Sequence, residues 1–275
     1  VFMWLYWFFI PAIKSMRLSF YNYSYITPER TEFVGFDNFV RLFHDKDFLR
    51  ALQHTFLMVA VVVLLIAVLA FLIAVLLDGN LRGKTFFRTV YYMPYVISSV
   101  AVSIFFMYFF IKGGIGSRFF SLFGLKDTTW FTSTKYALFL VIIIYVWQQI
   151  GFYMILYISG LQNISAELYE VAKIDGANKA QCIWYITFPL VKPTTYLVIT
   201  LGMINAFQIF DQIAAISKQS PLGSPAGSTS TVVTFLYQQS FSYMDMGYGS
   251  AAAMVLLAII FVLSLVRMLV SRGED

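Results

Sequence analysis

The sequence predicts an all-α protein that crosses a membrane about six times and folds as a single domain over residues 1–275. Hydrophobic residues make up 60% of the chain and charged residues only 12%, with a mean hydropathy of +0.76. A soluble domain has roughly 45 to 50% apolar and about 25% charged residues. The apolar residues also gather in runs of about 20, the length that crosses a hydrocarbon core of about 30 Å as a helix. Composition and run length therefore both predict transmembrane helices.

Five apolar runs are long enough to be complete spans, and they cover residues 55–77, 89–111, 136–158, 196–216 and 251–270. Residues 1–13 form a sixth, shorter run. We interpret this run as the remainder of a first span whose beginning lies upstream of the sequence. Adding it to the five complete runs gives the count of six.

Two segments between the spans have patterns of their own. Four apolar residues recur at i, i+3, i+4 and i+7, namely Phe36, Phe39, Val40 and Phe43. With Asp37 as a side-chain cap, this pattern predicts a short amphipathic helix lying on one surface of the membrane. Residues 217–231 are rich in serine, proline and glycine, and this composition predicts a mobile loop.

A polar segment at residues 168–193 interrupts the apolar runs but keeps helical periodicity. Three apolar positions follow the i, i+3, i+4 pattern, namely Leu168, Val171 and Ala172. Gly176 lies where this helix should stop, because glycine tolerates the left-handed backbone of a helix terminus. A second helical stretch covers residues 179–188, and Pro193 lies where the next span can begin. The segment therefore predicts two helices joined by a sharp turn at a membrane face.

Two of the spans carry polar and aromatic residues that suit a solute site. The third complete run contains Trp147, Gln148, Gln149, Gly151, Phe152 and Tyr153, and the fourth contains Asn205, Phe207, Gln208, Asp211 and Gln212. Buried amides and carboxylates are costly unless they face a partner group or a water-filled cavity. Gln208, Asp211 and Gln212 recur at helical spacing, so we expect them to share one helix face. Such groups bind hydroxyls, and aromatic rings pack on sugar rings, although polar residues in bundles also bond neighbouring helices.

The remaining composition argues against several functions. The net charge is +5 and no stripe of Lys and Arg alternates with aromatic residues, so nucleic-acid binding is not expected. The single cysteine, Cys182, cannot form an intramolecular disulfide, and His44 and His54 do not suggest a metal site. The stretch DGNLRGKT at 78–85 ends like a phosphate-binding loop, but its glycine spacing is one residue short and it follows an apolar helix. Any ATP should therefore bind another chain.

The polar segment resembles the EAA loop of ABC importer permeases. The triplet corresponds to Glu170, Val171 and Ala172, the central turn to Asp175, Gly176 and Ala177, and the terminal signature to ITFP at 186–189. Val171 replaces an alanine and Phe188 a leucine, and both substitutions keep the position apolar. The surrounding sequence GLQNISAELYEVAKIDGA is similar to permeases that import sugars and polyols. Further similarities, FVGFDNFVRLF at 33–43, LRGKTFFRTVYYMP at 81–94 and FLYQQSF at 235–241, extend the resemblance over nearly the whole chain.

The resemblance implies a type I importer permease fold, with residues 159–193 as a cytoplasmic coupling loop. The residues implied in coupling to an ATPase are Glu170, Ala172, Asp175, Gly176 and Ala177, with a coupling helix within residues 172–180. The residues implied in contact with a sugar are Gln149, Phe152, Phe207, Gln208 and Asp211. On this interpretation the chain is a transmembrane subunit that moves a solute by alternating access.

The implied partners are a homologous second permease, two ATP-binding subunits that hold ATP and magnesium, and an extracellular or periplasmic solute-binding protein. The chain itself would be a multi-pass, non-enzymatic subunit without a cofactor in the bacterial cytoplasmic membrane. Three alternatives stay open: an importer of glycerol phosphate or another non-sugar solute, an ion-coupled secondary transporter with broken helices, and an intramembrane enzyme. Asp211 is the one residue that hints at ion coupling.

Overall fold

The computed structural model describes residues 3, 5–79, 82–217 and 221–272, with side chains up to residue 269. It is helical almost throughout. The α-helices of the described chain are α1 (Ile10–Leu18), α2 (Asp37–His44), α3 (Lys46–Asp78), α4 (Lys84–Val96), α5 (Ser99–Phe109), α6 (Ile115–Ser121), α7 (Ala137–Gln162), α8 (Ala166–Ile174), α9 (Lys179–Cys182), α10 (Phe188–Leu190), α11 (Lys192–Phe207), α12 (Asp211–Ser217), α13 (Val232–Tyr237) and α14 (Met246–Arg272).

Shorter elements complete the described chain. Three π-helical stretches cover Leu5–Phe9, Ile183–Thr187 and Gln238–Ser242, and two 3-10 turns cover Pro28–Arg30 and Trp130–Thr132. Two short strands, β1 (Tyr21–Asn22) and β2 (Glu32–Phe33), pair as an antiparallel hairpin. This hairpin is a small β element in a fold that the sequence predicts to be all-α.

Long apolar helices form the body of the fold. Among the described residues, four helices are long and apolar enough to cross a membrane: α3, α7, the α11–α12 pair and α14. The predicted runs at 55–77 and 251–270 lie within α3 and α14, and the run at 136–158 lies within α7 except for Tyr136, which precedes the helix by one residue, so these three predictions are confirmed. Helix α7 occupies the centre, because it packs along α3, α4 and α11. Gly151 allows the closest of these contacts, since an added Cβ there would overlap the Tyr91 carbonyl group of α4.

The predicted run at 89–111 is not one helix. Helices α4 and α5 meet at an angle of 99°, with Ile97 and Ser98 in extended backbone between them. Pro94 lies in the last turn of α4, and a proline weakens a helix because it provides no N–H donor. Counted together, the two helices give the described chain a fifth candidate span, broken in the middle.

The run at 196–216 is also interrupted. Helix α11 ends at Phe207 and α12 begins at Asp211, so the prediction of one uninterrupted helical face for Gln208, Asp211 and Gln212 was wrong. Gln208 and Asp211 are exposed, whereas Gln212 is buried. Helical spacing cannot be extrapolated across a segment that leaves the helix.

The N-terminal run becomes helical and continues further than its apolar pattern. The π-helical stretch leads into α1, which runs to Leu18, and nearly all of its apolar side chains are exposed. Helix α1 packs against α14, where the Ser15 and Ser250 hydroxyls are 3.3 Å apart. Residues 1, 2 and 4 lie outside the described residues, so the interpretation of this run as part of a first span stays a prediction.

The predicted surface helix exists as α2, but one detail of the prediction, its cap, was wrong. Asp37 is its first residue and not its cap, and Phe36 precedes it without a side-chain hydrogen bond. Most of the predicted apolar stripe points outward, because the helix buries Asn38 and Leu42 instead. The Asn38 amide donates to the Ser19 carbonyl at 3.0 Å, which explains why a polar residue faces inward.

The loop predicted to be mobile is packed over the part that the structure describes. In residues 221–231, Thr229 and Thr231 are buried. The following Val232 N–H donates to the Thr55 hydroxyl of α3 at 3.0 Å. Residues 218–220 lie outside the described residues. Composition alone could not reveal that this loop would form hydrogen bonds within itself, such as that from the Thr229 hydroxyl to the Ser224 carbonyl at 2.8 Å, and would contact His54 of α3.

Candidate functional site

A polar cavity lies where the two helix breaks face α7. Its volume is about 280 Å³, and its lining residues are Tyr95, Ser99, Tyr145, Gln149, Asn205, Gln208, Ile209, Phe210, Asp211 and Gln212. They come from both sides of the α4–α5 break, from α7 and from both sides of the α11–α12 break. A non-helical backbone at membrane depth is tolerated where it is buried in protein or lines a water-filled cavity, and both breaks meet this condition.

The lining is suited to hydrogen bonding with an uncharged solute. It offers four side-chain amides, two phenols, a hydroxyl and one carboxylate, that of Asp211. None of these described lining residues is basic. An amide offers both donors and acceptors, as does a phenol, so the cavity can satisfy hydroxyl groups in either direction.

Gln148 connects both helix breaks to α7. Its Nε2 donates to the Ile97 carbonyl at 2.9 Å and to the Ser99 hydroxyl at 3.2 Å. Its Oε1 accepts from Gln212 Nε2 at 2.9 Å. We call these three hydrogen bonds the Gln148 bridge. The side chain is 2% exposed, and the bridge satisfies a carbonyl group that the α4–α5 break leaves without a helical partner.

The predicted sugar-contact residues divide into two groups. Gln149, Gln208 and Asp211 line the cavity. Phe152 lies behind the wall, where its ring stacks on Tyr95 with centroids 4.9 Å apart. Phe207 is 1% exposed and packs edge-on against Phe56 of α3, so it faces the core and not the cavity. The role of each residue in binding stays a prediction.

Sequence reasoning did not single out Tyr95, Ser99 and Tyr145 as lining residues. Tyr95 directly follows Pro94, and Ser99 begins the helix after the break, so the proline was the available signal. Tyr145 precedes Gln149 by one helical turn and therefore shares its face. Among the described residues, no group of three or more His, Cys, Asp or Glu side chains could hold a metal ion.

The second candidate site is the coupling segment, which we define as residues 165–190. Helix α8 begins where the Ser165 hydroxyl accepts from the Glu167 N–H at 3.3 Å. It ends at Ile174, and the chain leaves the helix through Asp175 and Gly176, whose φ is +81°. The Gly176 N–H donates to the Lys173 carbonyl at 3.2 Å, and the Ala177 N–H donates to the Ala172 carbonyl at 2.9 Å. This is the Schellman pattern that ends many helices, and it confirms the predicted stop.

The second arm of the coupling segment also begins with a side-chain cap. Asn178 and Gln181 form reciprocal hydrogen bonds, from the Asn178 N–H to Gln181 Oε1 at 2.8 Å and from the Gln181 N–H to Asn178 Oδ1 at 2.9 Å. The arm then runs through α9, a π-helical stretch and α10. Residues 172–180 thus contain the end of one helix, a turn and the start of another, and not a single helix.

The coupling segment exposes a mixed apolar and acidic surface. Ile174 is 84% exposed, and Val171 and Tyr185 are also exposed. The carboxylates of Glu170 and Asp175 are exposed beside them. A concavity of about 260 Å³ lies next to the turn and is lined by Asp175, Gly176, Ala177, Gln181, Cys182, Tyr185 and Ile186. An exposed apolar patch with a polar rim is typical of a surface that contacts another protein.

Comparison with known proteins agrees with this geometry. Residues 66–273 match the family of binding-protein-dependent transport system inner membrane components. The chain is 32% identical over 265 residues to the probable ABC transporter permease protein YurN of Bacillus subtilis, covering 94% of the chain and 89% of that protein. It is 30% identical over 262 residues to the arabinooligosaccharides transport system permease protein AraP of Halalkalibacterium halodurans, covering 94% and 81%.

A solved structure shares the fold. It is a bacterial alginate ABC transporter in complex with an alginate pentasaccharide-bound periplasmic protein, and the matched chain superposes with a TM-score of 0.83 at 22% identity. The match covers 99% of this chain and 91% of the other. The architecture predicted from the sequence is therefore confirmed as that of an ABC importer permease. Sequence and fold together show that the chain belongs to the family of binding-protein-dependent transport system inner membrane components.

Proposed function

We propose that this chain is one permease subunit of an ATP-driven importer of uncharged sugars, either oligosaccharides or polyols. The observation that carries the proposal is the polar cavity at the two helix breaks. Its amides, phenols and hydroxyl match the dense donors and acceptors of a sugar. Tyr95 and Tyr145 add aromatic rings, whose faces suit the apolar face of a sugar ring. The arabinooligosaccharide system of the relative AraP supports this substrate class.

The charge of the cavity favours a neutral solute. Asp211 is the one carboxylic acid among the described lining residues, and none of those residues is basic. A phosphate or uronate would meet this carboxylate without a compensating cation. We therefore favour uncharged sugars over glycerol phosphate and over acidic polysaccharides.

Energy for import would come from two ATP-binding subunits that hold ATP and magnesium. The coupling segment supports this proposal because it is capped at both of its helix starts and continuous with α7 and α11. Such a segment can transmit a displacement imposed by the ATP-binding subunits to α7 and α11. The exposed Ile174 would enter a groove of the ATPase, with Glu170 and Asp175 at its rim.

The remaining parts of the importer would lie around this chain. A homologous second permease would close the open side of the cavity. A solute-binding protein would deliver sugar at the outer face of the bacterial cytoplasmic membrane. Alternating access then requires the cavity to open outward to this protein at one stage of the ATP cycle and inward to the cytoplasm at another.

The two helix breaks do not by themselves separate this proposal from an ion-coupled transporter, since broken helices occur in secondary transporters too. The coupling segment favours the ATP-driven class, because a secondary transporter has no ATPase to contact. An intramembrane enzyme would need converging acid, base and nucleophile groups. Asp211 is the sole carboxylate of the described cavity lining, and Cys182 lies in the coupling segment.

Reconstitution tests the proposal directly. The chain, its partner permease and the ATPase subunits are assembled in liposomes with the binding protein, and uptake of radiolabelled arabinotriose, maltotriose and raffinose is compared with uptake of glycerol 3-phosphate and a uronate trisaccharide. We expect ATP-dependent uptake of at least one neutral sugar. Uptake that persists without the ATPase subunits, or that is restricted to the anionic solutes, would refute the proposal.

A substitution at Asp211 sharpens the substrate class. Asp211→Asn should raise the KM for the neutral sugar roughly tenfold, the loss expected when a charged hydrogen-bond acceptor is removed. Asp47→Asn is a matched control, because Asp47 is an exposed carboxylate that lies 3.7 Å from Arg50 outside the cavity. Equal KM values for both variants would show that Asp211 does not contact the sugar.

A further inference from the structure

The two helices that follow the breaks, α5 and α12, form a single unit of the cavity wall. They pack against each other along their length. Each begins at the cavity, α5 with Ser99 and α12 with Asp211 and Gln212. Because neither helix continues into the preceding one, their position depends on side-chain contacts.

The Gln148 bridge attaches both helices to α7. Through Ser99 it holds the start of α5, and through Gln212 it holds the start of α12. Both amides are buried, at 2% exposure for Gln148 and 4% for Gln212. A buried amide that loses its partner is strongly disfavoured, so the bridge fixes one arrangement of the three helices.

Helix α7 also leads directly into the coupling segment. It is continuous from Ala137 to Gln162, and α8 begins at Ala166. Gln148 lies 14 residues before the end of α7, a distance of about 21 Å along a helix. A displacement of the coupling segment therefore reaches Gln148 through one unbroken helix.

We propose that Gln148 is a positioning residue that makes the outer cavity wall move with α7 when the coupling segment is displaced. This inference rests on the proposed ATP-driven import, and it assigns Gln148 a role in motion and not in sugar contact. With the bridge intact, α5, α12 and α7 move as one body. Without the bridge, α7 moves and the wall does not follow, so ATP is hydrolysed without a change in access to the cavity.

The first test measures the motion in the complete importer complex. Spin labels are attached at Phe105→Cys on α5 and Phe139→Cys on α7, both exposed positions, in a Cys182→Ser background. The distance between the labels is measured without nucleotide and after trapping with ATP and vanadate. In the labelled protein that keeps Gln148, we expect the same distance between the labels in both states. In the labelled Gln148→Met variant, whose side chain has a similar volume, we expect a distance that changes with nucleotide. A nucleotide-dependent distance with Gln148 present would overturn the proposal.

The second test measures coupling. Gln148→Met should lower the sugar transported per ATP hydrolysed about tenfold while ATP hydrolysis and assembly persist, since the three hydrogen bonds of the bridge are lost. Gln212→Met should act similarly, and the double variant should be no worse than either single one, because both remove the same unit. Additive losses in the double variant would contradict the bridge mechanism.

The control distinguishes this role from general packing. Ser103→Ala removes a buried hydroxyl of the same helix α5, whose 2.7 Å hydrogen bond goes only to the Ser99 carbonyl of its own helix. It should leave both the label distance and the coupling ratio unchanged. A wild-type complex that transports no sugar with ATP refutes the proposed function, whereas normal coupling in Gln148→Met refutes only the role of Gln148.

Discussion

The coupling segment and the cavity are organised in opposite ways. The coupling segment takes most of its shape from hydrogen bonds between residues no more than five apart, such as that from Ala177 to Ala172. One longer contact, between the Tyr169 and Thr187 hydroxyls at 2.9 Å, joins its two arms. The cavity takes its shape from contacts such as Gln148 to Ile97 and Gln212 to Gln148, which are 51 and 64 residues apart. One site exposes apolar side chains, and the other is held together by the buried amides of Gln148 and Gln212. A surface proposed to contact a partner can thus be encoded mostly by local hydrogen bonds, whereas a solute site inside the bundle requires several helices to be in position.

The largest effect should come from disturbing the helix contact on which the cavity depends. Gly151→Ala would put a Cβ against the Tyr91 carbonyl and 2.8 Å from the Tyr92 Cα, so α7 and α4 would have to separate. We expect a loss of about 3 kcal/mol in the free energy of unfolding. Thermal unfolding of the detergent-solubilised complex should show a decrease in Tm of roughly 5 to 10 °C.

Gly202→Ala in α11 provides the matched control for this prediction. An added Cβ there would be 3.8 Å from the Tyr153 hydroxyl, an ordinary van der Waals contact. Its Tm should equal that of the wild type or rise slightly, because alanine favours a helix more than glycine does. A Gly151→Ala complex as stable as Gly202→Ala would show that the α4–α7 contact does not limit stability.

An intermediate effect is expected in the coupling segment. Gly176→Val forces a β-branched residue into a left-handed backbone at a φ of +81°, which costs about 1 to 2 kcal/mol. No atom of the chain lies within 4 Å of an added Cβ, so this strain comes from the backbone alone. We expect the ATPase activity stimulated by the loaded binding protein to fall several-fold.

Gly176→Asn separates backbone strain from contact with a partner. Asparagine adopts the left-handed conformation more readily than other residues, so its turn should be nearly as stable as that of the wild type. Full recovery of stimulated ATPase activity would attribute the whole loss to backbone strain. A loss that remains with asparagine would measure the contact between this turn and the ATPase. Unchanged stimulation in Gly176→Val would argue against a coupling role for the turn.

The local character of the coupling segment explains why the sequence predicted it so well. Gly176 and Pro193 mark helix boundaries by their own backbone preferences, and the structure shows boundaries at those points. The caps at Ser165 and Asn178 use equally local chemistry. The role of the segment in ATPase coupling stays a prediction.

The cavity was predicted less completely, because its geometry depends on residues distant in sequence. Gln149, Gln208 and Asp211 could be named because polar groups in apolar runs need a partner, and they do line the cavity. Phe207 was named for its aromatic ring, but this ring packs against Phe56 of α3, and Phe207 is the last residue of α11. No periodicity indicates that a helix will stop there.

The smallest expected effect concerns a contact of intermediate range, in the segment between α5 and α7. The Asp127 carboxylate accepts from the Gly113 N–H at 2.9 Å and from the Ser117 hydroxyl at 2.8 Å, residues 14 and 10 positions away. These hydrogen bonds favour the charged form and lower the pKa of Asp127 below its ordinary value of 3.8. Its contribution to stability is therefore present above the pKa of the unfolded chain and lost as the pH falls through the lower pKa of the folded chain.

The expected result is a difference in stability between the wild type and Asp127→Asn that shrinks on acidification. Thermal unfolding of both proteins measured from about pH 6 down to about pH 3 should show it. The Asp127→Asn variant has no titratable group at this position, so it provides the reference at each pH. The change should be small, because the carboxylate is exposed to solvent. A constant difference over this range would mean that Asp127 forms the same contacts in both protonation states. In that case hydrogen bonds between residues 10 to 14 positions apart in the sequence would behave like the local caps of the coupling segment. Both would fix the backbone conformation without depending on charge.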